Sequence, residues 1–181
     1  MNHQEPYRSP VLHTANLILR PIQIADAPDM FLQRTDPIVN KFVPIKPPAD
    51  IDEVITLINT IITGTADRKS DFWTITNKEG LYMGSVCLWN YNWEHQTAEL
   101  GFVLLQHAWH KGFVTEAVQE ALSFAKTTLP FTRIEGWTHK ENYGAQKVMQ
   151  KNGMHRDMQA EAQIDPESEE AVLQIWVLNI N

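Results

Sequence analysis

The sequence predicts a single mixed α/β (α+β) domain built on one central, mostly antiparallel sheet. Three observations point there. Apolar residues alternate in about seven short segments and recur at helical spacing in about four others. Three of the strand-like segments follow one another through short turns, as antiparallel strands do. A single strand–helix–strand passage, around Gly112 and Phe131, has the length of a parallel crossover. The 181 residues suffice for one buried core, so residues 1–181 are expected to form one domain, with residues 1–14 as an irregular N-terminal arm.

The elements run in order. "NLILRPI" (residues 16–22) alternates and stops at Pro21, which reads as a first strand. "ADAPDMFLQRT" carries an Asp cap signal and an apolar face, hence a short helix. A proline-rich loop, "DPIVNKFVPIKPP", follows. "DIDEVITLINTIIT" has helical spacing after an Asp, with Gly64 as its expected stop. "SDFWTITN" and "EGLYMGSVCLWNYN" form a hairpin around "NKEG". "TAELGFVLL" is the next strand, and Gly101 inside it marks a bulge or a close backbone approach. "VTEAVQEALSFAK" is an amphipathic helix, "FTRIEGWTH" a strand, and "NYGAQKVMQKN" a helix ending at Gly153. "MHRDMQAEAQ" and "AVLQIWVLNI" are expected as the closing strands, joined by the acidic turn "DPESEE".

Bulk properties narrow the function. Fifteen basic and 22 acidic side chains give a net charge of −7, which argues against nucleic acid as a partner and suits a cationic or amine-bearing one. The one cysteine, Cys87, permits no internal disulfide and sits in an apolar run, as a buried structural cysteine would. No apolar stretch is long enough to span a membrane, and the polar N-terminus has no signal-peptide core, so a cytoplasmic protein is expected. His95, His107 and His110 do not make a metal site. "HAWH" lacks the glutamate of the zinc-protease motif and no cysteine pair supports it, so no metal is expected.

"WHKGFVTEA" (residues 109–117) lies between a strand and a helix. The first turn of a helix leaves N–H groups without partners at the positive end of its dipole. An anion satisfies them, a glycine at the turn lets backbone approach it, and Lys111 adds a cation at the rim. The segment has neither the P-loop pattern nor the three glycines of a dinucleotide fingerprint.

Four blocks, in order, resemble the GNAT superfamily of acetyl-CoA-dependent N-acetyltransferases. They are "NLILRPIQIADAPDM", "AELGFVLLQHAWHKGFVTEAV", "RIEGWTHKENYGAQKVMQKNGM" and "VLQIWVL". Within the superfamily the chain is similar to the branch containing the ribosomal-protein N-terminal (alanine/serine) acetyltransferases. The resemblance implies a GNAT-like fold whose sheet splays at the acetyl-CoA site, with acetyl-CoA as cosubstrate. The strand "AELGF" would part from its neighbour after a bulge, freeing backbone groups of Phe102, Val103 and Leu104 for the pantetheine arm. The amides of His110, Lys111, Gly112, Phe113, Val114 and Thr115 would hold the pyrophosphate. Asn142 would hydrogen-bond the cofactor. The chain departs from the family at His110 (Gly is common), Val114 (Gly or Ala), Ala145 (Ser in this branch) and Met149 (often Tyr).

The implied reaction is direct attack of a primary amine on the thioester in a ternary complex, with no covalent enzyme intermediate. It needs a base for the amine proton, polarisation of the carbonyl and close positioning. Glu99 is the candidate base, with Glu116 second in proximity, although Glu in a first turn also complements the helix dipole. Tyr143 is the candidate proton donor to the leaving thiolate. Trp89, Trp93 and Trp109 flank the site as core or as acceptor-pocket wall. The acceptor is expected to be a small amine or a protein N-terminus, met by residues 31–48 and 165–170, and the protein a monomer or homodimer. The departures also leave open a catalytically silent acyl-CoA-binding sensor or interaction protein.

Overall fold

The computed structural model describes residues 5–180. Residues 1–4 of the expected N-terminal arm lie outside them. The elements are β1 (Leu12–His13), β2 (Leu17–Pro21), α1 (Ala27–Thr35), α2 (Ile51–Ala66), β3 (Asp71–Asn77), β4 (Tyr82–Asn92) and β5 (Thr97–Leu104). Then come α3 (Phe113–Thr128), β6 (Arg133–His139), α4 (Tyr143–Lys151), β7 (His155–Arg156), α5 (Met158–Glu161) and β8 (Leu173–Asn179). The eight strands form one sheet in the order β1-β2-β3-β4-β5-β6-β8-β7. Every neighbouring pair is antiparallel except β5 and β6, the pair joined by the α3 crossover.

Alternation along the strands separates two faces. Leu17, Leu19, Trp73, Ile75, Val86, Leu88, Ala98, Leu100 and Ile134 point to one face and meet α3 and α4. On α3 the buried set is Ala117, Val118, Ala121, Leu122, Phe124 and Ala125, a stripe rich in alanine that lets the helix lie close to the strands. The opposite face is covered over β2 to β4 by α1 and α2 through Ile22, Met30, Val54, Ile58 and Phe72. At the sheet's other end the segment after β7 lies on that same opposite face. Between these two covers the opposite face of β5 and β6 is open.

Four expectations are corrected. Gly64 does not end α2, which runs on to Ala66. The stop comes at Arg68, in the left-handed region at φ 59°, with Lys69 N–H donating back to the Gly64 carbonyl at 2.9 Å. "MHRDMQAEAQ" is not one strand. Only His155–Arg156 pairs; Asp157 then accepts from Ala160 N–H at 2.9 Å and starts α5 on residues of good helix propensity. The N-terminal arm is not irregular throughout, because Leu12–His13 adds an edge strand. Its earlier part is pinned by Tyr7 OH to Asp71, Phe72 N–H to Ser9 Oγ and Trp73 Nε1 to the Pro10 carbonyl. Finally, β5 carries no register shift. The bulge lies across from it on β4, between Trp89 and Asn92. Gly101 is instead the close approach: a Cβ there would stand 2.9 Å from Cys87 Sγ. Packing around that sulfur, with Glu99 adding, pushes the half-buried Cys87 thiol up to about 12, which fits a structural role.

Candidate active site

The opening begins on β5. Its pairing with β6 covers Thr97, Ala98 and Glu99, opposite Arg133, Ile134 and Glu135, and goes no further. Pairing with β4 continues to Leu104. Past Glu99 one edge of β5 is therefore free, and a slot opens between β5 and β6. Backbone alternation decides which groups face it. Leu105 N–H donates to the Met83 carbonyl of β4 at 2.9 Å, so Val103, two residues back, also faces β4, while Phe102 and Leu104 face the slot. The expected freedom of Val103's backbone groups is thus corrected: they belong to the ladder with Ser85. Trp109 Nε1 takes the Leu104 carbonyl at 2.8 Å, fastening the end of β5 to the approach of α3. Phe102 keeps both backbone groups for the slot and Leu104 keeps its N–H.

The start of α3 closes the slot's outer end. Gly112 is its N-cap, left-handed at φ 81°, and no side chain caps the helix. A Cβ on Gly112 would meet nothing within 4 Å, so the demand for glycine here is one of backbone conformation. The first-turn amides of Phe113, Val114 and Thr115 have no intrahelical acceptor. Among the described residues no acceptor meets the amides of His110, Lys111 or Gly112. His110 is also left-handed, at φ 60°, which accounts for glycine as the family's usual residue there. Phe113 and Val114 pack their side chains against the main core, so the branched side chain of Val114 is accommodated beneath the turn. Lys111 is exposed at the rim.

Asn142 lies at the head of α4. Its Oδ1 accepts from Ala145 N–H at 3.2 Å, which caps the helix and leaves its Nδ2 without an acceptor among the described residues. Tyr143 is 66% exposed. Met149 is 1% exposed and packed in the core, so that position faces away from solvent. Glu116, second in proximity, has both oxygens occupied: Asn16 donates its N–H at 2.7 Å and its Nδ2 at 2.9 Å, tying α3 to the start of β2. Burial raises its carboxyl, but hydrogen bonding from Thr14 and from Asn16 outweighs that and holds it below its ordinary value. Glu99 is half-buried on the open face and accepts from Asn90 Nδ2 at 2.5 Å.

Residues 16–155 match the acetyltransferase (GNAT) domain. The chain belongs to the GNAT acetyltransferases. It is an acetyl-CoA-dependent N-acetyltransferase. An N-acetyltransferase of Bacillus licheniformis, p20, itself uncharacterised, is 31% identical over 152 residues, 81% of this chain and 85% of its own. Among solved structures, a ribosomal L7/L12 α-N-protein acetyltransferase in complex with coenzyme A superposes with a TM-score of 0.80 at 11% identity, covering 94% of this chain and 98% of that one. A spermidine N-acetyltransferase of Vibrio cholerae, in complex with CoA and spermine, gives 0.78 at 17% identity over 92% and 96%. At these identities the structural likeness is one of fold.

For this GNAT acetyltransferase the open face adds residues that sequence reasoning missed. Parallel register sets Glu135 beside Glu99, and alternation puts Trp137, 40% exposed, on the same face. Trp89, 49% exposed, is the register partner of Glu99 on β4. Trp93 lies apart, with its indole N–H on the Arg68 carbonyl and its ring against Tyr91 and Phe131. Glu135 is held by Arg133 at 2.7 Å and by Trp137 Nε1 at 3.1 Å. A cleft of about 440 Å³ opens here, lined by Glu135, Trp137, Asp165, Glu170 and Ile175 among others. On the other side the loop after α1 bridges the mouth. Asp36 accepts from Gln106 Nε2 at 2.7 Å, and Phe42 stacks on His139 at 5.3 Å. The loops expected to meet the acceptor, around residues 31–48 and 165–170, thus flank the open face. Among the described residues no group of three or more His, Cys, Asp or Glu is gathered to hold a metal ion.

Proposed function

We propose that this acetyltransferase moves the acetyl group of acetyl-CoA to a primary amine by direct attack in a ternary complex. One observation carries the reading. The strand β5 parts from β6 immediately after Glu99, and its free edge leads to a helix start that no side chain caps. That single stretch offers a carboxylate, a slot for an extended chain and an anion seat, in that order.

The amides of Gly112, Phe113, Val114 and Thr115, with those of His110 and Lys111, hold the diphosphate, and the Lys111 side chain adds charge. Phe102 and the Leu104 N–H pair with the amides of the pantetheine arm. Asn142 contributes its Nδ2. The neutral amine enters from the open face and attacks the thioester carbonyl. A C–N bond forms, the C–S bond breaks, the amine proton passes to Glu99, and the sulfur leaves as thiolate. A thiol of pKa ~8.5 is a ready leaving group, and Tyr143 is the candidate to return a proton to it.

The acceptor is a small amine or a protein N-terminus. The wall of Trp89, Glu135 and Trp137 suits a cation of either kind. The similarity to the ribosomal-protein branch makes a peptide N-terminus the first amine to try. The test is CoA release measured over a panel of N-terminal peptides, polyamines, amino acids and amine-bearing antibiotics. Release with at least one amine is expected, and Glu99→Gln should lower kcat/KM by 10²–10⁴-fold with the fold intact. Acetyl-CoA binding without release on any amine would favour the silent binder. Undiminished turnover in Glu99→Gln would remove Glu99 as base.

A further inference from the structure

We propose that Asn90 is a positioning residue for the reaction: it holds one oxygen of Glu99 and leaves the other facing the acceptor. The inference rests on the reading of Glu99 as base.

Simple alternation would put residue 90 on the face opposite Trp89 and Glu99. The β4 bulge prevents that. Between the pairs Trp89–Glu99 and Asn92–Thr97 the strand carries one extra residue, and Asn90 is left-handed at φ 52°. A bulge of this kind re-aims a side chain. Here it brings the Asn90 amide to Glu99 Oε1 at 2.5 Å. Asparagine is among the few side chains that tolerate the left-handed region and still donate a hydrogen bond.

The bulge is anchored from the other side. Tyr91, the next residue, donates its hydroxyl to Asp71 Oδ2 at 2.8 Å, and its ring meets Phe131 at 4.7 Å. Asp71 is fully buried, and its second oxygen accepts from Tyr7 of the N-terminal arm at 2.9 Å. Burial, with Asp71 adding, raises the Tyr91 hydroxyl well above its ordinary range, so it stays a donor. The N-terminal arm thus completes a buttress that ends at Asn90.

The chemistry favours an amide in this place. A guanidinium against Glu99 would pair its charge and weaken it as a base. A neutral amide stops the carboxylate from rotating and leaves its charge unpaired. Among the described residues no donor reaches Glu99 Oε2. The titratable groups facing Glu99 from its neighbours are Glu135 on β6, itself ion-paired to Arg133, and Cys87 on β4.

The experiment measures kcat and kcat/KM against pH by CoA release, with the amine that gives the highest release in the panel above. Asn90→Gly keeps the left-handed backbone and removes the amide. It is expected to lower kcat on the order of 10-fold with KM for acetyl-CoA unchanged and the melting temperature not lowered. Asn90→Asp sets a second carboxylate against Glu99 and should move the acid limb of kcat/KM to higher pH. Neither change should add to Glu99→Gln. If both variants keep the wild-type kcat and acid limb while Glu99→Gln is inactive, the positioning role is overturned and the base survives. If Glu99→Gln keeps full turnover, the base reading falls and this inference with it.

Discussion

Two kinds of helix start coexist in this protein. At α2 the Asp50 side chain accepts from Glu53 N–H at 3.0 Å, and at α4 Asn142 accepts from Ala145 N–H at 3.2 Å. At α1 the chain enters from the preceding turn Ile24–Asp26, and the N-cap Asp26 makes no capping bond but is held by the Arg20 fork and the Thr74 hydroxyl. The start of α3 has none of this. Gly112 brings no side chain, and its first-turn amides are unspent beside the gap where β5 parts from β6. The capped starts serve stability. The start of α3 leaves its first-turn amides available to an anion, the arrangement by which a helix terminus serves as a binding element.

The largest expected effect comes from giving α3 a cap of its own. Gly112→Asp places a carboxylate where the diphosphate is to sit. Acetyl-CoA affinity, by calorimetry, should fall on the order of 100-fold, since like charges a few ångströms apart repel by several kcal/mol at intermediate dielectric. Affinity within threefold of wild type would break the contrast.

Asn142 sharpens the contrast because it serves both sides of it. Asn142→Ala should cost about 1 kcal/mol through the lost cap, seen as a melting temperature lower by roughly 2–4 °C. Asn142→Asp keeps the capping oxygen and loses the Nδ2 donor. It should melt like wild type yet show a several-fold higher KM for acetyl-CoA. Equal KM in Asn142→Asp and wild type would confine Asn142 to capping.

His110→Gly should act in the opposite direction. Relief of one left-handed non-glycine residue is worth about 1 kcal/mol, a rise in melting temperature of roughly 2–4 °C, with acetyl-CoA affinity little changed.

The smallest effect near neutral pH belongs to α1. Burial pushes the Asp26 carboxyl up, but Arg20, the Gln23 amide and Thr74 outweigh it and hold it below its usual value. A depressed carboxyl stabilises above its unfolded value and loses that stabilisation as pH falls through the folded one. Melting temperature, as far as Asp26 sets it, should stay flat from about pH 7 to 5 and fall below about pH 4. A rise on acidification would contradict the assignment.

Much of this was legible in local sequence. Gly112, its strand-to-helix setting and the early Asn142 were readable because turn chemistry and capping are short-range. The strand count fell one short because β1 is two residues long and takes its stability from Tyr7, Ser9 and Pro10 reaching β3. Such contacts have no period to detect. Glu135 and Trp137 stayed hidden for a related reason. Alternation in "RIEGWTH" puts them on one face, but only the parallel register sets that face beside Glu99. The bulge was expected on β5 and lies on β4, where Asn90, unlike a glycine, carried no signal of left-handed backbone. Val103 was assigned to the slot because the direction of its backbone groups depends on pairing with β4.

The most direct test is a crystal structure with CoA bound. The diphosphate is expected within hydrogen-bonding distance of the amides from Gly112 to Thr115, with the pantetheine arm between β5 and β6 and its thiol on the Glu99 side. CoA bound elsewhere, with the α3 amides facing only solvent and the slot empty, would contradict the account.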